Sequence, residues 1–309
     1  MIEFAPMFDP LRGEAPAGQA PGLVETQPHR QPLTSAPRRP SRLAAAAFGL
    51  LLGLTSSLYL LYPDRTNILL LGSDRRPNES GPARSDTMIL TTVLPLGPYV
   101  GALSIPRDLW VDIPGFGPNR VNAASFLAEA AQPGSGPRAA VETVRTNFGV
   151  DVDAYVSLDF VGFVRFIDGL GGVDIDLAQP TGGYEAGRHH LNGTQALAFA
   201  RDRKGSDDFF RMARGQILLQ AILRRMMHPL VWPRWPLAFA GLLGSFHTDL
   251  PLWDWPRVAF ALARVGPGGV DGRVIGRDMA HGFTTNGGAQ VLAPDWARIN
   301  PVLMEMFGQ

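Results

Sequence analysis

Cysteine is absent from the 309 residues, which excludes disulfide bonds, thiol catalysis and cysteine-based metal sites. Lysine is nearly absent as well, because Lys204 is the one lysine among 28 basic residues. The 28 acidic residues balance these charges, so the chain lacks the positive excess of a non-specific nucleic-acid binder. Charged residues make up only 18 % and apolar residues 45 %, which permits a large core.

Several common catalytic motifs are also missing. The chain has no H-E-x-x-H zinc motif, no Walker A loop and no G-x-S-x-G nucleophile elbow. His189 and His190 are adjacent and cannot share a helix face, so we interpret them as part of a polar turn before Leu191. The sequence therefore favours neither a zinc hydrolase nor a serine hydrolase.

One long uncharged stretch is present at residues 43–62, and it reads LAAAAFGLLLGLTSSLYLLY. At about 1.5 Å per residue, a helix of this length spans roughly one hydrocarbon core. Arg38, Arg39 and Arg42 precede it, and by the positive-inside rule they place the N-terminus in the cytoplasm. A cleaved signal peptide is the alternative, but no small-x-small cleavage site follows the apolar stretch.

The regions on either side of this stretch differ in composition. Residues 1–42 are rich in Pro, Ala, Gln and Arg without apolar periodicity, which predicts a disordered cytoplasmic tail. Residues 63–309 are predicted to form one extracytoplasmic domain. We thus expect a single-pass cell-membrane protein.

The outer region alternates between predicted strands and helices. Apolar runs predict strands at 67–71, 88–94, 99–105, 155–158 and 173–177, with a hairpin between the second and the third. Capping signals predict helices at 137–148, from Asp159 to Asp168, from Asn192 to Ala200, and from Asp207 or Asp208 to about Met227. This alternation predicts an α/β (α+β) fold with a mixed sheet between helical layers, αβα.

Residues 228–258 are the least regular part of this region, with four of the six tryptophans. They fit either an ordinary helical insertion that closes the core or an amphipathic segment near the membrane, and we favour the first slightly. A second transmembrane helix is unfavoured, because prolines and Arg234 interrupt the apolar stretches.

Two carboxylates flank neighbouring predicted strands. Asp74 directly follows the first strand, and Asp86 directly precedes the second. At one edge of a sheet they offer hard oxygen ligands that suit Mg²⁺, whose remaining ligands are water and phosphate oxygens. A solvated turn between the strands is the alternative interpretation.

Arginines accompany these carboxylates in three further segments. Arg107 and Asp108 end the third strand, and Arg120 follows shortly after. Arg201 and Arg203 come after the helix that starts near Asn192, and Arg211 and Arg214 lie three residues apart at the start of the next helix. Arginine clusters beside metal-binding carboxylates are typical of pyrophosphate sites, provided that the segments meet in space.

At this point the residues resemble the LytR-CpsA-Psr family of bacterial cell-envelope proteins. The order and spacing of the matching segments follow that family across about residues 66–226. They are NILLLGSDRR at 67–76, ARSDTMIL at 83–90, LSIPRDLWVDIPG at 103–115, RVNAASF at 120–126, DFVGFVRFIDGLGGVDIDL at 159–177 and HLNGTQALAFARDR at 190–203.

The resemblance implies a mixed sheet flanked by helices, with a hydrophobic groove for a polyprenyl chain. It implies a Mg²⁺-dependent phosphotransferase that moves a glycopolymer from an undecaprenyl-pyrophosphate carrier onto peptidoglycan or another wall sugar. Two other readings stay open. One is a polyprenyl-pyrophosphate phosphatase, and the other is a non-catalytic binding protein for lipid-linked glycans that affects envelope regulation.

The same resemblance assigns roles to individual residues. It implies that Asp74 and Asp86 bind Mg²⁺, and that Arg107 and Asp108 act with them at the catalytic centre. It implies pyrophosphate contacts from five arginines, namely Arg84, Arg107, Arg201, Arg203 and Arg211, with Arg75 in support. Arg214 is expected at the pyrophosphate as well, because it shares a helix face with Arg211.

Two positions depart from the family pattern. Phe210 stands where the family usually has glycine, and a bulky side chain there is expected to narrow the groove or to shift Arg211. Gly215 stands where the family often has glutamine, with Gln216 one residue further on.

Overall fold

The computed structural model of the chain describes residues 42–60, 65–73, 85–202 and 208–308. Apart from Arg42, the predicted tail 1–42 lies outside these residues, and so do residues 61 and 62 of the predicted span. The chain divides into a unit that ends at Gly49 and a compact unit of residues 50–309. The sheet and the candidate site belong to the second unit.

The strands, in chain order, are β1 Thr66–Ser73, β2 Ser85–Leu94, β3 Tyr99–Ile105, β4 Trp110–Ile113, β5 Gly117–Arg120, β6 Ala154–Asp159, β7 Val173–Leu177, β8 Gly187–Leu191, β9 Phe246–Thr248, β10 Asp271–Val274, β11 Ala280–Thr284 and β12 Gln290–Pro294. The helices are α1 Arg42–Leu60, α2 Ala123–Ala131, α3 Gly136–Phe148, α4 Phe160–Gly169, α5 Gly193–Arg201, α6 Asp208–Met227, α7 Trp235–Gly241, α8 Trp255–Val265 and α9 Trp296–Phe307, with a 3₁₀ helix at Pro229–Arg234.

Helix α1 covers most of the stretch for which a membrane span is predicted. Its large apolar side chains, including Leu50, Leu52 and Leu54, are exposed. Among the described residues, no helix has the length and apolar character needed to cross a bilayer. The single span stays a prediction.

Six strands form the central sheet, in the order β10-β3-β2-β1-β6-β9. Strand β2 pairs antiparallel with both β1 and β3, whereas β1 pairs parallel with β6 and β3 pairs parallel with β10. The sheet is therefore mixed, as the sequence predicts.

Helices cover both faces of this sheet, because alternate residues of each strand point to opposite sides. Leu69, Leu90 and Leu103 are fully buried on one face, in a cluster that includes residues of α3 and α9. Ile89 and Val100 pack on the other face, in a cluster with residues of α6 and α8. This arrangement confirms the predicted αβα layering.

A third apolar cluster lies beside the sheet. It contains Phe166 and Ile167 of α4, Phe199 of α5, and residues of α6, α7 and the antiparallel pair β7–β8. Gly169 permits the close approach of α4 and α7, because a Cβ there would lie 2.5 Å from the Cα of Ala238. The cluster holds α5 and α6 beside the sheet.

The capping signals of the sequence are confirmed at several helix ends. The side chain of Asp159 accepts a hydrogen bond from the backbone N–H of Gly162 at 2.8 Å. Asn192 and Gln195 form a capping box at the start of α5. Gly149 ends α3 in the left-handed conformation, with φ of 66°.

Two local interpretations need correction. His189 and His190 are not in a turn, since they lie in β8 and pair with Ile175 and Asp174 of β7. Residues 228–258 do bury Val231 and Ala238, as expected of an insertion that closes the core. However, the same segment also contributes β9, which pairs with β6 at the edge of the sheet.

Candidate active site

A cleft opens where β2 begins and β3 ends, between the sheet and helices α4, α5 and α6. It encloses about 710 Å³ of empty space, counting its open mouth. Its polar lining comprises Asp86, Thr87, Ser104, Arg107, Arg201 and Arg211, and its apolar lining includes Met88, Ile89, Ile105, Phe160, Leu197, Ala200 and Met212. One cleft thus joins charged groups to an apolar wall.

Asp86 and Arg107 meet because of the strand register. Met88 pairs with Ile105 in the antiparallel ladder of β2 and β3, so Asp86 and Arg107 stand opposite each other just beyond that pair. Arg107 Nη1 donates to Asp86 Oδ1 at 3.1 Å. The side chain of Asp86 is 23 % exposed and that of Arg107 is 21 % exposed, which leaves both accessible from the cleft.

Asp108 is absent from the cleft lining and forms an ion pair with Arg107. Its Oδ2 lies 3.5 Å from Arg107 Nε, and its Oδ1 lies 3.2 Å from Arg120 Nε. Arg120 also donates through Nη2 to the backbone carbonyl of Gln290 at 3.0 Å. Asp108 therefore acts as a bridge between two arginines, which fixes the direction of the Arg107 guanidinium.

Arg201 is placed by α5, whose last residue it is. Its guanidinium carbon lies 4.5 Å from the centre of the Phe160 ring, at the start of α4. This cation–π contact holds the arginine at the wall of the cleft. The capping box at Asn192 fixes the other end of the same helix.

Helix α6 contributes Arg211, Met212 and Gly215 to the cleft. Gln216 is buried and absent from the cleft lining, and its Nε2 donates to Ser104 Oγ at 2.7 Å. The glutamine that follows Gly215 is therefore a packing residue between α6 and β3.

Phe210 does not have the obstructing position expected from the sequence. The side chain is 53 % exposed, and the Arg277 guanidinium carbon lies 5.9 Å from the centre of its ring. The cleft is lined instead by the neighbouring Arg211 and Met212. This corrects the expectation that the bulky residue narrows the groove.

Arg214 also differs from the expectation. It is 3 % exposed, and its guanidinium donates to the backbone carbonyl of Asp202. Burial lowers the pKa of Arg214. The side chain is therefore buried and is absent from the cleft lining, although Arg211 lies only three residues away in the sequence.

Four predicted site residues lie outside the described residues, namely Asp74, Arg75, Arg84 and Arg203. Their roles stay predictions. The described segment that contains β1 ends at Ser73, one residue before Asp74. Ser73 pairs with Ser85, the neighbour of Asp86.

The described part of the site fits a metal only in part. Within the described residues Asp86 is the one carboxylate in the cleft lining, and its oxygens are hard donors of the kind that Mg²⁺ prefers. Among the described residues, no group of three or more His, Asp or Glu could hold an ion by itself. Such a site would need Asp74 and phosphate oxygens as further ligands.

A second groove lies between α6 and the pair β7–β8, away from the predicted site residues. Its lining includes Asp174, Arg188, Arg224, Arg225 and His228. Asp174 accepts from His190 Nδ1 at 2.9 Å, and this hydrogen bond is the main cause that lowers the pKa of Asp174.

Comparison with known proteins bears on the family of the chain. The model of the LytR_cpsA_psr family matches residues 55–277. The chain belongs to this family. The match covers the sheet strands β1, β2, β3, β6, β9 and β10, together with the cleft.

Two curated relatives illustrate the range of names within the LytR_cpsA_psr family. "Polyisoprenyl-teichoic acid--peptidoglycan teichoic acid transferase TagU" of Oceanobacillus iheyensis is 40 % identical over 166 residues, which are 52 % of this chain and 51 % of that protein. "Regulatory protein MsrR" of Staphylococcus aureus is 30 % identical over 195 residues, which are 60 % of this chain and 57 % of that protein. The chain therefore spans about half the length of the curated relatives that it matches.

Solved structures share the fold. TagV of B. subtilis superposes with a TM-score of 0.63 at 24 % identity, covering 80 % of this chain and 98 % of that one. A structure described as "TagT bound to LI-WTA" also gives a TM-score of 0.63 at 24 % identity, covering 80 % of this chain and 92 % of that one. These similarities establish a LytR_cpsA_psr fold with a central mixed sheet.

Proposed function

We propose that the chain is a phosphotransferase that moves a cell-wall glycopolymer from an undecaprenyl-pyrophosphate carrier onto peptidoglycan or another wall acceptor. The observation that carries this proposal is the cleft in which Asp86, Arg107, Arg201 and Arg211 meet an apolar wall. Membership of the LytR_cpsA_psr family and the relative named as a teichoic acid transferase support it.

The charges of the cleft suit a pyrophosphate. Among the described residues, three arginines and one carboxylate line it, which leaves an excess of positive charge for a polyanion. Guanidinium groups bind phosphate oxygens in pairs, and in a water-poor cleft they stabilise the charge that develops during phosphoryl transfer. The apolar side chains of the same cleft offer a surface for the first isoprene units of the carrier.

The reaction is balanced as a substitution at phosphorus. A hydroxyl of the acceptor sugar forms a new bond to the phosphorus that carries the glycan. The bond from that phosphorus to the bridging oxygen breaks, and undecaprenyl phosphate leaves with the electron pair. The hydroxyl proton is released in the same step, so the products are a phosphodiester and a lipid phosphate.

We also propose that Asp74 and Asp86 hold Mg²⁺. When bound, it would supply positive charge at the pyrophosphate oxygens. Asp86 is suited to this role because it faces the cleft, while Arg107 keeps its carboxylate oriented. Arg75, Arg84 and Arg203 are proposed to complete the contacts to phosphate.

Membrane attachment is the last part of the proposal. Residues 43–62 carry no charge, and the large apolar side chains from Phe48 to Leu58 are exposed, which is the pattern of a lipid-facing segment. We propose one span, with the N-terminus in the cytoplasm and residues 63–309 outside. Such an anchor would confine the domain to the membrane that holds a lipid-linked donor.

The test is a transfer assay with the full chain in proteoliposomes, a polyprenyl-pyrophosphate donor with a labelled glycan, peptidoglycan and Mg²⁺. We expect label on the peptidoglycan, and its loss in Asp86→Asn. Asp112→Asn is the matched control, because Asp112 is exposed on β4 and lies outside the cleft lining.

Two results would contradict the proposal in different ways. Label released as soluble glycan phosphate, with water in place of the acceptor hydroxyl, would indicate a phosphatase. A donor that binds without turnover, equally well in the wild type and in Asp86→Asn, would indicate a non-catalytic binding protein.

A further inference from the structure

The two ends of the central sheet differ in character. Asp86 and Arg107 mark the cleft end. At the opposite end Thr66, the first residue of β1, pairs with Val93 close to the turn that joins β2 and β3. Ala154, the first residue of β6, pairs with Ile68 at this same end. The chain therefore enters the domain at the end away from the cleft.

This entry end lies close to the predicted membrane segment along the chain. Residues 63–65 separate the uncharged stretch from Thr66, and a fully extended link from residue 62 to residue 66 reaches at most about 14 Å. If residues 43–62 are in the bilayer, the entry end of the sheet must lie near its surface.

Helices α4 and α6 bring further residues to the same end. Phe160, the first residue of α4, and Arg211, near the start of α6, both line the cleft. Further along α6, Leu223 packs in the cluster that includes Val93 and Val100. Past the last turn of α4, Arg225 of α6 donates to the carbonyl of Leu170. Both helices thus run away from the cleft, and the 3₁₀ helix follows directly.

The segment before α8 reaches the entry end as well. Leu250 is buried against Ile68 and Ala154, the residues that begin the pairing of β1 with β6. Leu252 and Trp253 follow immediately in the chain.

Large apolar side chains are exposed at this end, and we name them the apolar base. They comprise Leu96 at 49 %, Leu230 at 82 %, Trp232 at 55 %, Leu252 at 83 % and Trp253 at 68 % relative exposure. They come from three separate segments: the β2–β3 turn, the 3₁₀ helix and the loop before α8. Their exposure is not explained by packing within the described chain.

Positive charge accompanies the apolar base. Two arginines near Leu230 and Trp232 in the sequence are exposed. Arg224 lies in the last turn of α6, and Arg234 lies at the end of the 3₁₀ helix. The adjoining groove contains two carboxylates: Asp174 interacts with Arg188 and His190, and Asp176 is exposed. Tryptophan, leucine and arginine together are the composition of surfaces that lie at a membrane interface.

We propose that the apolar base rests on the lipid bilayer, with its leucines and tryptophans among the lipid head groups and with Arg224 and Arg234 facing anionic head groups. This inference rests on the membrane attachment in the proposed function. It adds a fixed orientation, in which the cleft points away from the membrane. Strand β2 has 10 residues, so at about 3.3 Å per residue the cleft would stand roughly 30 Å above the base.

The absence of cysteine allows a direct test with single labels. The full chain is prepared with one cysteine at a time, labelled with an environment-sensitive fluorophore, and placed in nanodiscs of phosphatidylcholine and phosphatidylglycerol that contain a nitroxide-labelled lipid. The two test variants are Leu230→Cys and Leu252→Cys, and both positions are exposed, so folding is expected to be retained.

Leu243→Cys is the matched control. Leu243 is a leucine of the same segment and is 77 % exposed. It lies at the cleft end, because the carbonyl of the nearby Ser245 accepts from the N–H of Asp159, the last residue of β6. Leu52→Cys, inside the predicted span, reports insertion of the anchor.

We expect nitroxide quenching at positions 230 and 252 to exceed that at position 243 by about twofold or more. The inference is wrong if the label at position 230 or 252 is quenched as little as the label at position 243 while the label at position 52 is quenched. That result would leave the membrane anchor intact. An unquenched label at 52 would contradict membrane attachment itself. If the labels at 230 and 252 are shielded from water only in discs with two copies, the surface binds a second copy of the chain and the inference is wrong.

Discussion

Arg107 Nη1 lies 3.1 Å from Asp86 Oδ1, across the ends of two neighbouring antiparallel strands. The pairing of Met88 with Ile105 places them there, so the contact follows from the register of the sheet. Asp108 forms an ion pair with the Nε atom of the same guanidinium. The arginine is thus oriented by two carboxylates before any ligand arrives, which is the preorganisation that phosphoryl transfer requires.

Arg107→Lys tests the fork geometry at constant charge. A lysine keeps the positive charge but cannot contact Asp86, Asp108 and a phosphate at the same time. We expect kcat/KM for glycan transfer to fall by roughly 10- to 100-fold, with little change in Tm. Arg138→Lys is the control, since Arg138 is 77 % exposed on α3. Unchanged transfer by Arg107→Lys would show that the guanidinium geometry is not used.

Asp108→Asn tests a positioning role. The amide keeps the size of the side chain but removes the charge that bridges Arg107 and Arg120. We expect transfer to slow by about tenfold. In an Arg107→Lys background the same change is expected to add little, because the residues act through one contact. Fully multiplicative effects in this double-mutant cycle would argue for an independent role of Asp108, such as that of a general base.

Phe210→Gly tests whether the departure from the family pattern impairs the site. Phe210 is exposed and lies beside Arg277, so its removal should leave the transfer rate within about twofold of the wild type. Glycine near the start of α6 is expected to lower stability by about 1 kcal/mol or less. Transfer kinetics and a thermal melt measure both effects. A tenfold faster variant would mean that Phe210 does obstruct the cleft.

Asp271→Asn tests an ion pair that fixes the edge strand β10. Its hydrogen bond with Arg273 is the main cause that lowers the pKa of Asp271, and the Tyr99 hydroxyl also donates to it at 2.9 Å. A lowered carboxylate pKa stabilises the fold above the pKa of the unfolded chain, about 4, and the stabilisation is lost as the pH falls through the folded-state pKa.

The expected loss in Asp271→Asn at pH 7 is about 1 to 2 kcal/mol, or roughly 3 °C in Tm. Thermal melts from pH 7 down to pH 3 should show the gap between wild type and variant closing below about pH 4. Asp112→Asn, at an exposed position, should show no such gap. A gap that is independent of pH would contradict the assignment.

Much of the fold could be predicted because its signals are local. Asp159, Asn192 and Gly149 occupy cap positions that need only a few neighbouring residues to recognise. Strand β10 is different, because it is short and polar and joins the sheet only by pairing with β3, far away in sequence. Strand β9 joins the edge in the same non-local way.

The candidate site shows the same division. Asp86, Arg107, Arg201 and Arg211 belong to motifs that single them out, and the structure brings these four to one cleft. Arg214 could not be separated from Arg211 by spacing alone, because its burial depends on contact with Asp202. The apolar lining was missed as a group, since Leu197, Ala200 and Met212 read as ordinary helix residues. Leu197 lies four residues before Arg201, which is helical spacing, whereas Ala200 and Met212 are direct neighbours of Arg201 and Arg211.

The most direct test of the central claim is a structure of the full chain in lipid with a polyprenyl pyrophosphate and Mg²⁺. We expect the pyrophosphate in the cleft among Arg107, Arg201 and Arg211, with Mg²⁺ on Asp86 and the prenyl chain along the wall of Ile89, Leu197 and Met212. A pyrophosphate in the other groove, beside Arg188 and Arg224, or a cleft that stays empty at saturating ligand, would contradict the account.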